Sequence, residues 1–137
     1  MINFSALKRQ HEEIGDIIGS IKNSIYKNQL EAEANEVALL VSSLAGKLKI
    51  HLNAEDLYMY PDLLKSQSGD IRLIAKEYID EMGHISEAFT AYKNRFNTRS
   101  KITADIEAFK SETKKVFAVL EERISKEEAS LYSLLQL

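Results

Sequence analysis

The sequence predicts an all-α fold, an antiparallel up-down four-helix bundle, and three observations lead there. Chain punctuation is sparse, with one Pro and five Gly in 137 residues, which favours long helices over many short strands. Apolar residues recur at alternating steps of three and four, the period of one helix face. Four such stretches have similar lengths and are joined by short polar breaks, the pattern of a bundle. The whole chain, 1–137, reads as one domain without linker or low-complexity segment, the usual size for a single core.

The first helix is expected over about 4–27, with Leu7, His11, Ile14, Ile18, Ile21 and Ile25 as its inward seam. The second covers about 31–60 and stops near Pro61; its seam is Val37, Val41, Leu44, Leu48, His51, Glu55 and Tyr58. Ser66 to Asp70 is a polar break rich in capping residues. The third helix covers about 70–96, with Ile74, Tyr78, Met82, Ile85, Phe89, Tyr92 and Phe96 on one face. After Asn97 to Ser100 the fourth is expected over about 103–135, capped by Ser100 or Thr103, with Asp105 and Glu107 at its positive end. Its seam runs Ile106, Phe109, Thr113, Val116, Leu120, Arg123, Glu127, Leu131 and Leu134.

Composition narrows the function. There is no Cys, so disulfides, thiolate-bound zinc, Fe–S clusters and thiol nucleophiles are excluded. A net charge of -3 with no basic stripe argues against nucleic acid as a partner. No unbroken apolar run exceeds Val37–Val41, too short to span a bilayer. The opening Met1-Ile2-Asn3-Phe4-Ser5 lacks a basic region followed by an apolar stretch, so the expectation is a cytoplasmic protein without a leader.

The information lies where the seams are not apolar. The chain has three His; His11 and His51 fall on seams, and His84 lies one residue from Ile85. Glu55 follows His51 by one turn, and Glu127 follows Arg123 by one turn. Residues four apart project from one helix face, so both pairs point inward. A single inward His is most often a satisfied core residue, but buried charge is normally paired or bound to metal. Imidazole nitrogen and carboxylate oxygen suit iron, manganese or zinc, and facing helices in bundle cores hold such metals.

These residues resemble a known family. The stretch from His51 to Pro61, His-Leu-Asn-Ala-Glu-Asp-Leu-Tyr-Met-Tyr-Pro, is similar to the H-x-x-x-E-[ED]-x-x-[LY]-[YF]-P block of hemerythrin-like, HHE cation-binding domains. Lys8 to Glu12 resembles the family's first-helix His segment, and Glu81 to Ile85 its third-helix His segment. Arg123 to Tyr132 resembles the last block, H-x-x-x-E-E-x-x-L-[FY], except at its first residue. The resemblance implies a non-haem di-iron site: His11 and His51 on one iron, Glu55 and Glu127 bridging, His84 on the other. Two departures stand out, Arg123 at the last-helix His and Ala88 four residues after His84, where oxygen-carrying members have a second His. Arg stays protonated and cannot ligate, so one or two irons per chain are expected, with the second position incomplete and zinc or manganese as alternatives. Arg123 is expected either to replace a metal charge beside Glu127 or to swing out, leaving Glu81 as the nearest extra carboxylate. Glu122 and Glu128 are expected to face outward.

The resulting functional expectation is a small metal-binding protein for oxygen, nitric oxide or redox sensing, or for iron handling. A non-catalytic helical interaction bundle, its site decayed and salt-bridged through Arg123, is the alternative. A His phosphotransfer bundle fits less well, since His11 and His51 lie on core seams. No sequence feature identifies a substrate pocket, and no protein partner is named by the residues. Tyr58, Tyr60 and Tyr132 lie near the Glu-containing blocks as gating or core aromatics.

Overall fold

Amphipathic spacing produces the helices, and capping residues decide where they start and stop. The computed structural model describes residues 4–132 and is all-α, with no strand among them. Its elements are α1 (Phe4–Tyr26), α2 (Leu30–Tyr58), α3 (Tyr60–Leu64), α4 (Gly69–Phe96), α5 (Arg99–Thr103), α6 (Ile106–Lys126) and a π-helical turn (Glu127–Leu131). The long helices close a ring of contacts: α1 packs on α2 and α6, and α4 packs on α2 and α6. The polar face of each stays in water while its apolar stripe faces the others.

Local chemistry explains the boundaries. Asn28 ends α1 in the left-handed region at φ 56, which Asn tolerates better than branched residues. Ser68 caps α4 by accepting from the Ile71 N–H. Pro61 begins a helix rather than only ending one: it sits in the first turn of α3, where its missing N–H costs nothing. The chain breaks at Met59, so the expected second helix is split there, and Tyr58 is exposed while Met59 and Tyr60 turn inward.

The expected fourth helix is also divided. Thr98 caps the short α5 by accepting from the Lys101 N–H, and α6 begins only after Asp105, which accepts from the Ala108 N–H at 3.0 Å. The caps are therefore Thr98 and Asp105, not Ser100 or Thr103. An acidic cap satisfies an orphan donor and meets the positive end of the helix dipole. Asp105→Ala is expected to cost about 1 kcal/mol, read as a lower urea midpoint with an unchanged slope. Leu134, the last expected seam residue, lies outside the described residues.

The core has two parts. The larger gathers Ile14, Ile21, Val41, Leu44, Phe89, Tyr92, Phe109, Phe117 and Leu120. Within it the Tyr92 hydroxyl and Thr113 hydroxyl are 2.7 Å apart, so this buried pair satisfies itself. The smaller part lies under α3 and comprises Leu7, Met59, Tyr60, Leu63, Ala75, Leu131 and Tyr132. Reading along the helices, His11 follows Leu7 and precedes Ile14, His51 follows Leu48, and Glu127 lies between Leu120 and Leu131. The polar seam residues thus form a layer between two apolar clusters.

Candidate metal centre

Two helices and the π turn bring the layer together. His11 comes from α1, His51 and Glu55 from successive turns of α2, and Glu127 from the first residue of the π turn. All four are buried. One ligating atom from each lies within 4.8 Å of the others. The His11 and His51 Nε2 atoms are 2.9 Å apart. Glu127 Oε1 is 3.1 Å from His11 Nε2 and 3.4 Å from His51 Nε2, and Glu55 Oε2 is 3.4 Å from His51 Nε2.

The outer edge of each imidazole is held. His11 Nδ1 lies 3.1 Å from Glu128 Oε1, and His51 Nδ1 lies 2.8 Å from Gln10 Oε1. An Nδ1–H donated to an outer acceptor leaves the inner Nε2 as a lone pair, the arrangement that orients ligating histidines. Two Nε2 lone pairs facing each other at 2.9 Å repel unless a proton or a cation lies between them. Donor separations of 2.9 to 3.4 Å match the edges of a coordination shell whose bonds are about 2.0–2.1 Å. Glu55 Oε1 is buried and without a hydrogen-bond partner among the described residues, an acceptor still to be satisfied. The donor set therefore fits one cation.

Electrostatics agree. Burial alone would lower the His51 pKa, but the carboxylates of Glu127 and Glu55 outweigh it and raise the imidazole from 6.5 to about 9. Burial raises Glu55 from 4.5 to about 6, against the pull of His51. Glu127 moves the other way: burial opposes its charge, but bonds from His11, His51 and Glu55 and the charge of Arg123 hold it below the usual carboxylate range. Without a cation, a proton on His51 occupies the space between the donors.

Arg123 is 1 % exposed and is among the largest fully buried side chains. Its Nε donates to Glu127 Oε2 at 3.2 Å, and its Nη2 donates to the Tyr60 hydroxyl at 2.7 Å and to the Tyr78 carbonyl at 3.0 Å. It points inward and does not swing out to solvent. Glu81 Oε1 lies 3.7 Å from its Nη1, at the rim.

His84 is not in the cluster. It is exposed on α4, as is Ala88, so the third-helix segment of the family resemblance does not face the centre. The buried register of α4 runs through Met82, Ile85 and Phe89, and a residue adjacent to such a position is rotated by about 100°. At the level of the centre, α4 presents Tyr78 and Glu81.

The sequence reading did not single out Gln10 as the partner of His51, because a neighbour of a seam residue carries no periodic signal. Glu128 is half-exposed as expected, yet its tip reaches His11. Tyr132 enters the centre because the π turn carries one extra residue: its N–H bonds the Glu127 carbonyl five residues back. Its hydroxyl donates to Glu55 Oε2 at 2.9 Å and lies 3.2 Å from His11 Nε2. Spacing gave no signal for that widened turn: Arg123, Glu127 and Leu131 step by four, but so do Ile74, Tyr78 and Met82 within the regular α4. Tyr60 and Tyr132 thus border the centre, and Tyr58 does not.

The sequence model of the hemerythrin HHE cation binding domain matches residues 3–135 of the chain. No curated relative and no solved structure matches it.

Proposed function

We propose, proceeding from the fact that this chain belongs to the hemerythrin HHE cation-binding family, that it holds non-haem iron at His11, His51, Glu55 and Glu127. The observation that carries this is the convergence of four buried donors whose outer imidazole nitrogens already have acceptors. Zinc or manganese suits the same donors. In this reading α1, α2, α4 and α6 form the antiparallel up-down bundle of the family. His84 keeps no role as a ligand in it, because it faces solvent. Bound iron would supply a redox-active Lewis-acidic centre. The chain's own residues fix the imidazoles through Gln10 and Glu128, donate a hydrogen bond to Glu55 from the Tyr132 hydroxyl, and shield the layer between two apolar clusters.

The function this supports is sensing of oxygen, nitric oxide or redox state, or iron handling, in the cytoplasm. Reversible oxygen carriage fits less well, because the imidazole ligands for a second ion are missing. A second reading is favoured by one observation, the ion pair of Arg123 with Glu127 inside the core: a bundle whose site serves only packing and partner binding. Metal content decides between them. Untagged protein from iron-supplied cells is expected to carry stoichiometric iron by mass spectrometry, and His51→Ala to lose most of it while staying helical. A folded wild type that takes up no iron, zinc or manganese would leave the packing reading.

A further inference from the structure

We infer that the Arg123 guanidinium stands in the place of a second cation and limits the centre to one metal ion per chain. This rests on the metal-binding reading above. Glu127 shows the division most clearly: its Oε1 faces the two imidazoles, and its Oε2 accepts from Arg123 Nε. One carboxylate thus bridges two cation places, one lined by imidazole nitrogens and one filled by guanidinium.

The second place is built around a cation at Nε and Nη2, while the buried Nη1 makes no hydrogen bond among the described residues. The Tyr60 hydroxyl and the Tyr78 carbonyl both present oxygen to Nη2. The Tyr78 ring lies under the guanidinium carbon, 4.3 Å from it to the ring centre, with its negative face toward the charge. Glu81 supplies a carboxylate at 3.7 Å from the rim. These groups come from α3 and α4, so closure of the bundle itself places them. None is an imidazole, because the His residue of α4 faces solvent.

Charge counting agrees. Glu55, Glu127 and Glu81 at the rim carry three negative charges when ionised, and Arg123 carries one positive charge at every accessible pH. One divalent ion then brings the group to neutrality. A second would leave two positive charges in a dry interior, where like charges are poorly screened, and the guanidinium also fills the space. The donor set therefore fits one ion and does not fit two. The bland alternative, that Arg123 is a solvated residue at a bundle end, is removed by its burial and its protein partners.

The test is a count of ions. Purified, chelator-stripped protein is dialysed against Zn(II), and separately against Fe(II) without oxygen, and bound metal per chain is measured by mass spectrometry. Wild type is expected to hold one ion. Arg123→His is expected to hold two, the second on the introduced imidazole, Glu127 and Glu81, and adding Glu81→Ala is expected to return the count to one. Two ions in wild type, or one in a folded Arg123→His chain, would overturn the inference. If Arg123→His fails to fold, metal-free melting decides. Arg123→Met is then expected to melt on the order of 10 °C lower than wild type, and Arg123→Lys to fall less; equal melting of Arg123→Met and wild type would overturn it. Zero ions in folded wild type would instead sink the metal-binding reading on which the inference rests.

Discussion

Glu127→Ala is expected to destabilise the metal-free protein by about 3–5 kcal/mol. The carboxylate touches Arg123, His11, His51 and Tyr132, and no other carboxylate in the layer reaches the guanidinium. Its loss leaves Arg123 charged and 1 % exposed, with Glu81 3.7 Å away at the rim as its nearest remaining anion. An uncompensated buried charge costs more than the pair contributed, and a domain of this size has only about 5–15 kcal/mol in total. Urea unfolding in excess chelator measures the loss. Glu127→Gln keeps the shape and one bond to Arg123, so it is expected to fall between wild type and Glu127→Ala. A wild-type midpoint for Glu127→Ala would mean that this pair does not hold the core together. The same substitution removes a donor from the centre, so metal uptake is expected to fall with it.

The second large effect is a pH dependence of opposite sign with and without metal. The folded-state pKa of His51 lies above its unfolded value, at about 9 against 6.5. Stability from this group is fully present below pH 6.5 and is lost as pH rises through 9. The full window is worth about 3 kcal/mol. Glu55, raised by burial to about 6, has the same sign over its own window from 4.5 upward. Glu127, held low, has the reverse sign and costs stability only in acid. Between pH 6.5 and 9 the metal-free protein is therefore expected to lose stability. A bound ion needs the imidazole without its inner proton, so metal affinity is expected to rise across that same interval. Chelated protein unfolded in urea at pH 6.5 and pH 9 tests the first half, and zinc dissociation constants at the same two values test the second. His51→Gln should flatten both slopes. A metal-free protein whose midpoint is unchanged over this interval would show that His51 holds no proton among these carboxylates.

The inward positions were legible because helix period and charge conflict at only a few residues. His11, His51, Glu55, Arg123 and Glu127 interrupt otherwise apolar seams, and each is buried where its seam places it. His84 was the hard case. It sits one residue from Ile85, and a period of 3.6 does not decide whether a neighbour of the seam faces in or out. Packing decided it, by giving the inward places to Met82, Ile85 and Phe89. The breaks near Met59 and Ala104 had local signals that act a few residues away from where the spacing placed them. Pro61 opens α3 as well as ending the helix before it, and Asp105 caps α6 after a separate short helix capped by Thr98, while burial of Tyr60, Leu63 and Ile102 holds the short helices in place. The outer partners Gln10 and Glu128 depend on side-chain reach across helices, which no spacing along one chain encodes.

The π turn at Glu127–Leu131 has a consequence for the chain as a length of text. A π turn holds one residue more than the α turn it replaces. Deleting any one of Glu128, Ala129 or Ser130 would therefore let the helix run on as ordinary α, with little cost to its backbone bonds. The deletion would leave the Tyr132 N–H bonded to the Glu127 carbonyl at the ordinary spacing of four, so the aromatic would keep its heading toward Glu55 and His11. The opposite change is the damaging one: at the present length, an α turn forced through this segment would rotate everything beyond it by about 100° and carry the Tyr132 hydroxyl away from the centre. The widened turn is what lets a chain one residue too long still end on that hydroxyl.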